Sequence, residues 1–142
     1  MTLPPRLELD LDLVPGRFAV CRLPPEAPLP EELQAQALVS STRTAEELSI
    51  VCREELAPPA ARRENGWRCL RLRGPVVFSL VGVVASLTVP LAAAGVSVFV
   101  LSTFDTDYLL VKEAQLERAA AALASAGHRV SLSGRSGPGS PA

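Results

Sequence analysis

"GPVVFSLVGVVASLTVPLAAAGVSVFVLSTF", Gly74 to Phe104, runs without a single charged side chain. About 20 apolar residues suffice for a membrane-spanning helix, so length alone permits a span. The texture argues otherwise. Pro90 lies in the middle, where it removes a helical hydrogen bond and crowds the preceding turn. Gly95 stops a helix, and "VSVFVLSTF" is β-branched and aromatic in the manner of a strand. A span usually has aromatic anchors and a basic flank on one side, whereas the flanks here offer Arg71 and Arg73 before the run and Asp105 and Asp107 after it. Read in pieces, the run predicts a loop, a buried helix over about Leu80–Ala93 and a buried strand over about Val96–Thr103.

The whole chain has 142 residues, with 14 basic against 15 acidic side chains and a formal net charge of −1. That balance excludes the basic footprint that nucleic acid requires. Aromatic residues make up 4 %, too few for a base-stacking surface. The opening "MTLPPRLELDLDL" has acids where a secretory signal has its apolar core, and only "MTLPP" reads as a leader. Cys21, Cys52 and Cys69 are widely spaced within apolar runs, which suits small core residues of a reduced, cytoplasmic protein. No CxxC spacing occurs and His128 is the only histidine, so no metal site and no cofactor are expected. "SGRSGPGSPA", Ser133–Ala142, has the composition of a disordered tail.

Between the ends the chain nearly repeats itself. "GRFAVCRLP" from Gly16 is answered by "GWRCLRLRGP" from Gly66. "LVSSTRTAEELSIVCREE" from Leu38 is answered by "VLSTFDTDYLLVKE" from Val100, aligning Ser41-Thr42 with Ser102-Thr103. Each copy has a strand opening at Phe18 or Trp67, a proline-containing connection, a strand ending in Ser-Thr, a polar turn and a third strand (Leu48–Cys52 or Tyr108–Val111). The second copy inserts the apolar helix. It also adds "EAQLERAAAALASAGH", with Leu116, Ala119, Ala120 and Leu123 on one helical face and Gly127 as its stop. A final short strand, "HRVSL", follows.

The second copy is thus β-α-β-β-α-β, the split βαβ pattern. In the first, Pro30 with Glu31-Glu32 suits only a short helix. "LAPPAARREN" reads there as a linker with at most one helical turn. The alternating "LELDLDL" places Leu7, Leu9, Leu11 and Leu13 on one face of a half-buried strand. It is expected to supply the strand that the first copy lacks. The units are placed at 7–60 and 66–132.

Paired small units with "GVxxxLxxPLAxAGVSVFxLSTFDTDYLLV", read from Gly82 to Val111, resemble the ACT-domain family. Within it they are similar to short bacterial proteins of two ACT units, themselves akin to repeats of the animal cytosolic arginine sensor. The resemblance covers about Leu9–Val130 and is strongest over Trp67–Val111. It implies an α+β fold of tandem ferredoxin-like βαββαβ units with antiparallel sheets, the first with reduced helices. It also implies a regulatory protein that binds an amino acid or similar small ligand without catalysing a reaction. The alternative is a structural protein–protein interaction module with no ligand. Apolar strand edges predict a homodimer or a complex with a regulated protein.

The site follows from the same resemblance. Gly82 matches the glycine that ACT domains place at the start of their first helix, with Ser79 and Val83 flanking it. A helix start offers unpaired N–H groups and partial positive charge to a ligand carboxylate. Read from the residues alone, Gly82 is better explained by tight helix–sheet packing, because an isolated glycine in a helix is a weak signal. Asp107 matches the acid that holds the basic end of the ligand in the arginine-sensor branch. Thr103 and Phe104 offer backbone groups and an apolar wall. Ser40, Ser41 and Thr42, at the matching end of the first copy, complete the set, although such hydroxyls favour strand ends in any protein. Asp105 reads as a solvated turn residue. Arg62, Arg63, Arg68, Arg71 and Arg73 form a basic run without the glycine-rich cradle of a phosphate site.

Overall fold

In the computed structural model, residues 7–35, 38–74 and 81–133 are described; Ser79, Leu80 and the tail from residue 134 lie outside them. The chain forms two compact units, Gly16–Trp67 and the described residues of Met1–Pro15 with Arg68–Ala142.

The alternating leucines open a 14-residue strand, β1 (Asp10–Leu23), that continues past Pro15 and Gly16. Gly16 permits this passage with a φ of 97°. It also leaves room for a neighbour, since a Cβ there would lie 2.4 Å from Arg53 Nε. In the Gly16–Trp67 unit, β1 pairs antiparallel with β3 (Leu48–Arg53), Phe18 opposite Arg53 and Leu23 opposite Leu48. β3 pairs in turn with β2 (Ser40–Arg43). On its other side β1 neighbours β4 (Arg62–Leu72). The first helix is reduced to a 3₁₀ turn, Glu31–Ala35, whose Leu33 is buried with Ala19, Cys21, Ile50 and Cys52.

The other unit contains both α-helices, α1 (Val83–Ala93) and α2 (Leu116–Ser125). They pack beside each other and share a core with the sheet, with Leu87, Leu91 and Leu123 wholly buried. β4 neighbours β6 (Asp107–Lys112), which pairs antiparallel with β5 (Phe99–Ser102). The last strand, β7 (Arg129–Ser131), pairs parallel with β1, Asp10 opposite Arg129. The fold is α+β, built mostly on antiparallel pairings, with α-helices in the second unit and only 3₁₀ turns among the described residues of the first. No described helix is long and apolar enough to cross a membrane.

Four local expectations need correction. The strand "LELDLDL" joins the second unit, where Leu11 is buried and Leu7, Leu9 and Leu13 pack against the core; it does not complete the first. That role falls to the start of β4. Arg62–Asn65, expected as linker, are strand because backbone pairing needs no apolar side chains, and all four are exposed. The strand after α1 starts at Phe99, because the Val96 N–H is already bonded to Leu91 C=O in closing the helix. Helix α1 itself starts at Val83, after Gly82.

Candidate functional site

Three of the candidates, Thr103, Phe104 and Asp107, lie at the end of the sheet where β5 turns into β6. Ser102 pairs with Asp107, so the turn between them is Thr103 to Thr106. The Thr103 N–H donates to Thr106 C=O at 2.8 Å, and the Thr106 N–H donates back to the Thr103 hydroxyl at 3.2 Å. Asp105 and Phe104 project outward; Phe104 is 80 % exposed. Thr106 points the other way. It is buried, and its hydroxyl donates to Leu72 C=O at 2.6 Å.

That bond ties the turn to the end of β4. A Cβ on Gly74 would lie 3.1 Å from Asp105 O and from Thr106 Cβ, so the chain leaving β4 runs directly against the turn. From there it leads to α1. Gly82 caps this helix in the left-handed region, φ 84°, with no side-chain cap. A Cβ on Gly82 would meet no described atom within 4 Å. The first helical bond joins Ser86 N–H to Gly82 C=O at 2.9 Å, so the amides of Val83, Val84 and Ala85 precede the helical ladder. The Val83 side chain is buried in the core, leaving only its backbone for a ligand. Asp107 opens β6, half-buried.

Ser40, Ser41 and Thr42 belong to the other unit, where they lie opposite Val51, Ile50 and Ser49 within β2. The turns fix a different equivalence from the one that the Ser-Thr pairs suggest. Thr44 N–H donates to Glu47 C=O at 2.9 Å, and the Glu47 N–H donates to the Thr44 hydroxyl at 3.2 Å, the same arrangement as at Thr103. Thr44 therefore corresponds to Thr103, and Leu48 to Asp107. Leu48 is 2 % exposed and belongs to the core. The first unit has a leucine where the second has its acid.

Comparison with known proteins bears on the same region. A family model described as an ACT domain matches residues 62–125, and a second, for an N-terminal domain, matches 16–60. A crystallised protein of Agrobacterium tumefaciens is 37 % identical, with a TM-score of 0.84, covering 92 % of this chain and 98 % of that one. Residues 62–125 of the chain are an ACT domain.

The human protein named cytosolic arginine sensor for mTORC1 subunit 1 is 46 % identical over 48 residues. That match spans 33 % of this chain and only 15 % of the human protein. The regulatory subunit of aspartate kinase from Thermus thermophilus shares the fold at 12 % identity and a TM-score of 0.56, covering 83 % of this chain and 95 % of that one.

Sequence reasoning missed Thr106 and Gly74. A threonine two residues after Phe104 reads as an ordinary turn residue, and only its burial reveals an anchor. The three cysteines behave as expected of core residues: all are buried free thiols. Burial pushes the Cys69 thiol up to about 12. A hydrogen bond with Cys52 draws Cys21 down to about 7 and pushes Cys52 up. No cluster of three or more metal-ligating side chains occurs among the described residues.

Proposed function

We propose that the chain is a non-catalytic regulatory protein that binds an amino acid at the α1 end of the second unit. The ligand carboxylate rests on the amides that follow Gly82, and its cationic end pairs with Asp107. Thr103 and Phe104 border it. The observation that carries this reading is the bond from the Thr106 hydroxyl to Leu72 C=O, with Gly74 against the same turn. It holds the turn that precedes Asp107 against the end of β4, at Leu72 and Gly74. The ACT-domain match over residues 62–125 and the name of one partial relative, an arginine sensor, support the ligand class. Leu48 in the place of Asp107 leaves the first unit without the corresponding charge. Ser40, Ser41 and Thr42 would then contribute hydroxyls at most.

A screen of thermal stability against the common amino acids tests this. A ligand that binds only the folded state raises the melting temperature by mass action, and one basic or zwitterionic amino acid should do so. No shift with any of them removes the reading. A second reading, an interaction module without ligand, is favoured by the exposed apolar side chains of Val81, Val89 and Phe104. It predicts a stable complex and no response to amino acids. Either reading places the protein in the cytoplasm as a homodimer or as part of a larger assembly.

A further inference from the structure

Pro90 stands inside α1. A proline has no amide hydrogen, so the carbonyl four residues earlier, that of Ser86, loses its helical donor. His128 takes the vacant role: its Nε2 lies 2.9 Å from Ser86 O. A carbonyl oxygen can only accept, so Nε2 carries the ring proton. Nδ1 then holds a lone pair, and it accepts the N–H of Leu9 at 3.1 Å. The ring is 4 % exposed and uses both nitrogens, one toward α1 and one toward the chain entering β1. Its own position is fixed by α2, whose Leu123 C=O accepts the His128 N–H at 3.1 Å. The next amide, Arg129, donates to Leu9 C=O at 2.8 Å, so Leu9 is held at both its polar groups.

We propose that His128 is a proton-operated latch that supplies the donor Pro90 lacks and fastens the start of β1 to α1. The neutral ring closes both bonds. An added proton enters at Nδ1 and turns the acceptor into a donor facing another donor, the Leu9 N–H. The Leu9 bond then breaks, while the Ser86 bond survives. The charged groups on the elements around the ring are few. Helix α1 has none, the start of β1 and its approach bring Glu8, Asp10 and Asp12, β7 brings Arg129, and α2 brings Glu117 and Arg118, both exposed. Asp10 and Arg129 are paired with each other through two hydrogen bonds.

Nuclear magnetic resonance of the whole chain tests the latch without any ligand. In the neutral ring the imidazole nitrogens should report the Nε2–H tautomer. The Nδ1–H tautomer overturns the proposal. As the ring titrates, exchange of the Leu9 amide, corrected for its intrinsic pH dependence, should quicken about tenfold, as expected for one net hydrogen bond lost. Leu110, in the middle of β6, should keep its protection. A Leu9 amide indifferent to the ring's charge also overturns it. Pro90→Ala restores an amide to Ser86, so His128→Gln should cost less stability in that background than in the wild type. Additive losses would show that the ring does not stand in for the missing amide.

Discussion

Asp107 and Thr106 are neighbours with opposite tasks, and substitutions should separate them. Asp107 is half-buried at a strand start, so Asp107→Ala should leave the melting temperature nearly unchanged. If the proposed site is right, it should remove about 1.5–3 kcal/mol of affinity for the amino acid found by screening, as calorimetry would measure. Thr106→Val should do the reverse. It strands the buried Leu72 carbonyl and should cost about 1–3 kcal/mol in denaturant unfolding. Its effect on the ligand should appear only through the turn it anchors. Gly82 differs again: no described atom lies within 4 Å of a Cβ built there, yet its φ of 84° disfavours any side chain. Gly82→Ala should therefore destabilise by about 1–2 kcal/mol through backbone strain alone. The acid and the glycine could be picked out in the sequence by family pattern. Thr106 could not, because a hydroxyl in a polar turn carries no sign of which way it faces.

At the scale of elements, periodicity was a good guide wherever one face met the core. The spacing of Leu116, Ala119 and Leu123 gave α2, and all three are buried; Ala120 is only half-buried, at the edge of that face. The alternation of Leu7 to Leu13 gave the leading strand and its inward face. Boundaries failed where backbone bonding, not side-chain character, decides them, as at Val96 and at Arg62. The repeat was legible, but its register was not: matching Ser41-Thr42 to Ser102-Thr103 follows composition, whereas the paired turns at Thr44 and Thr103 follow hydrogen bonds. Pairing also predicts a pH effect. The hydrogen bonds from Arg129 hold the Asp10 carboxyl below its ordinary 3.8, so this pair stabilises β1 against β7 at pH values above that. The contribution is lost as pH falls through the depressed value. Asp10→Asn should flatten that part of the acid-unfolding curve, with only a small change at neutral pH because the pair is exposed.

At the scale of the molecule, the sequence shows two units but hides how the chain is shared between them. A strand before the first repeat was naturally assigned to the repeat it precedes. Nothing in an alternating pattern names its partner, and parallel pairing of β1 with β7 joins residues near opposite ends of the chain. The assignment has a measurable consequence. Leu11 is 1 % exposed in the core formed with Leu72, Leu87 and Leu123, all in the second unit. Leu11→Ala should cost about 2–5 kcal/mol, the usual range for a large-to-small change in a packed core. Hydrogen exchange would locate the loss. Protection should fall first at Leu109 and Val111 in β6, which share that core, while Ile50 and Cys52 in the other unit respond only when the whole chain unfolds. If protection fell first at Ile50 instead, the leading strand would be supporting the first unit. The parallel pairing with β7 would then not be the contact that secures it.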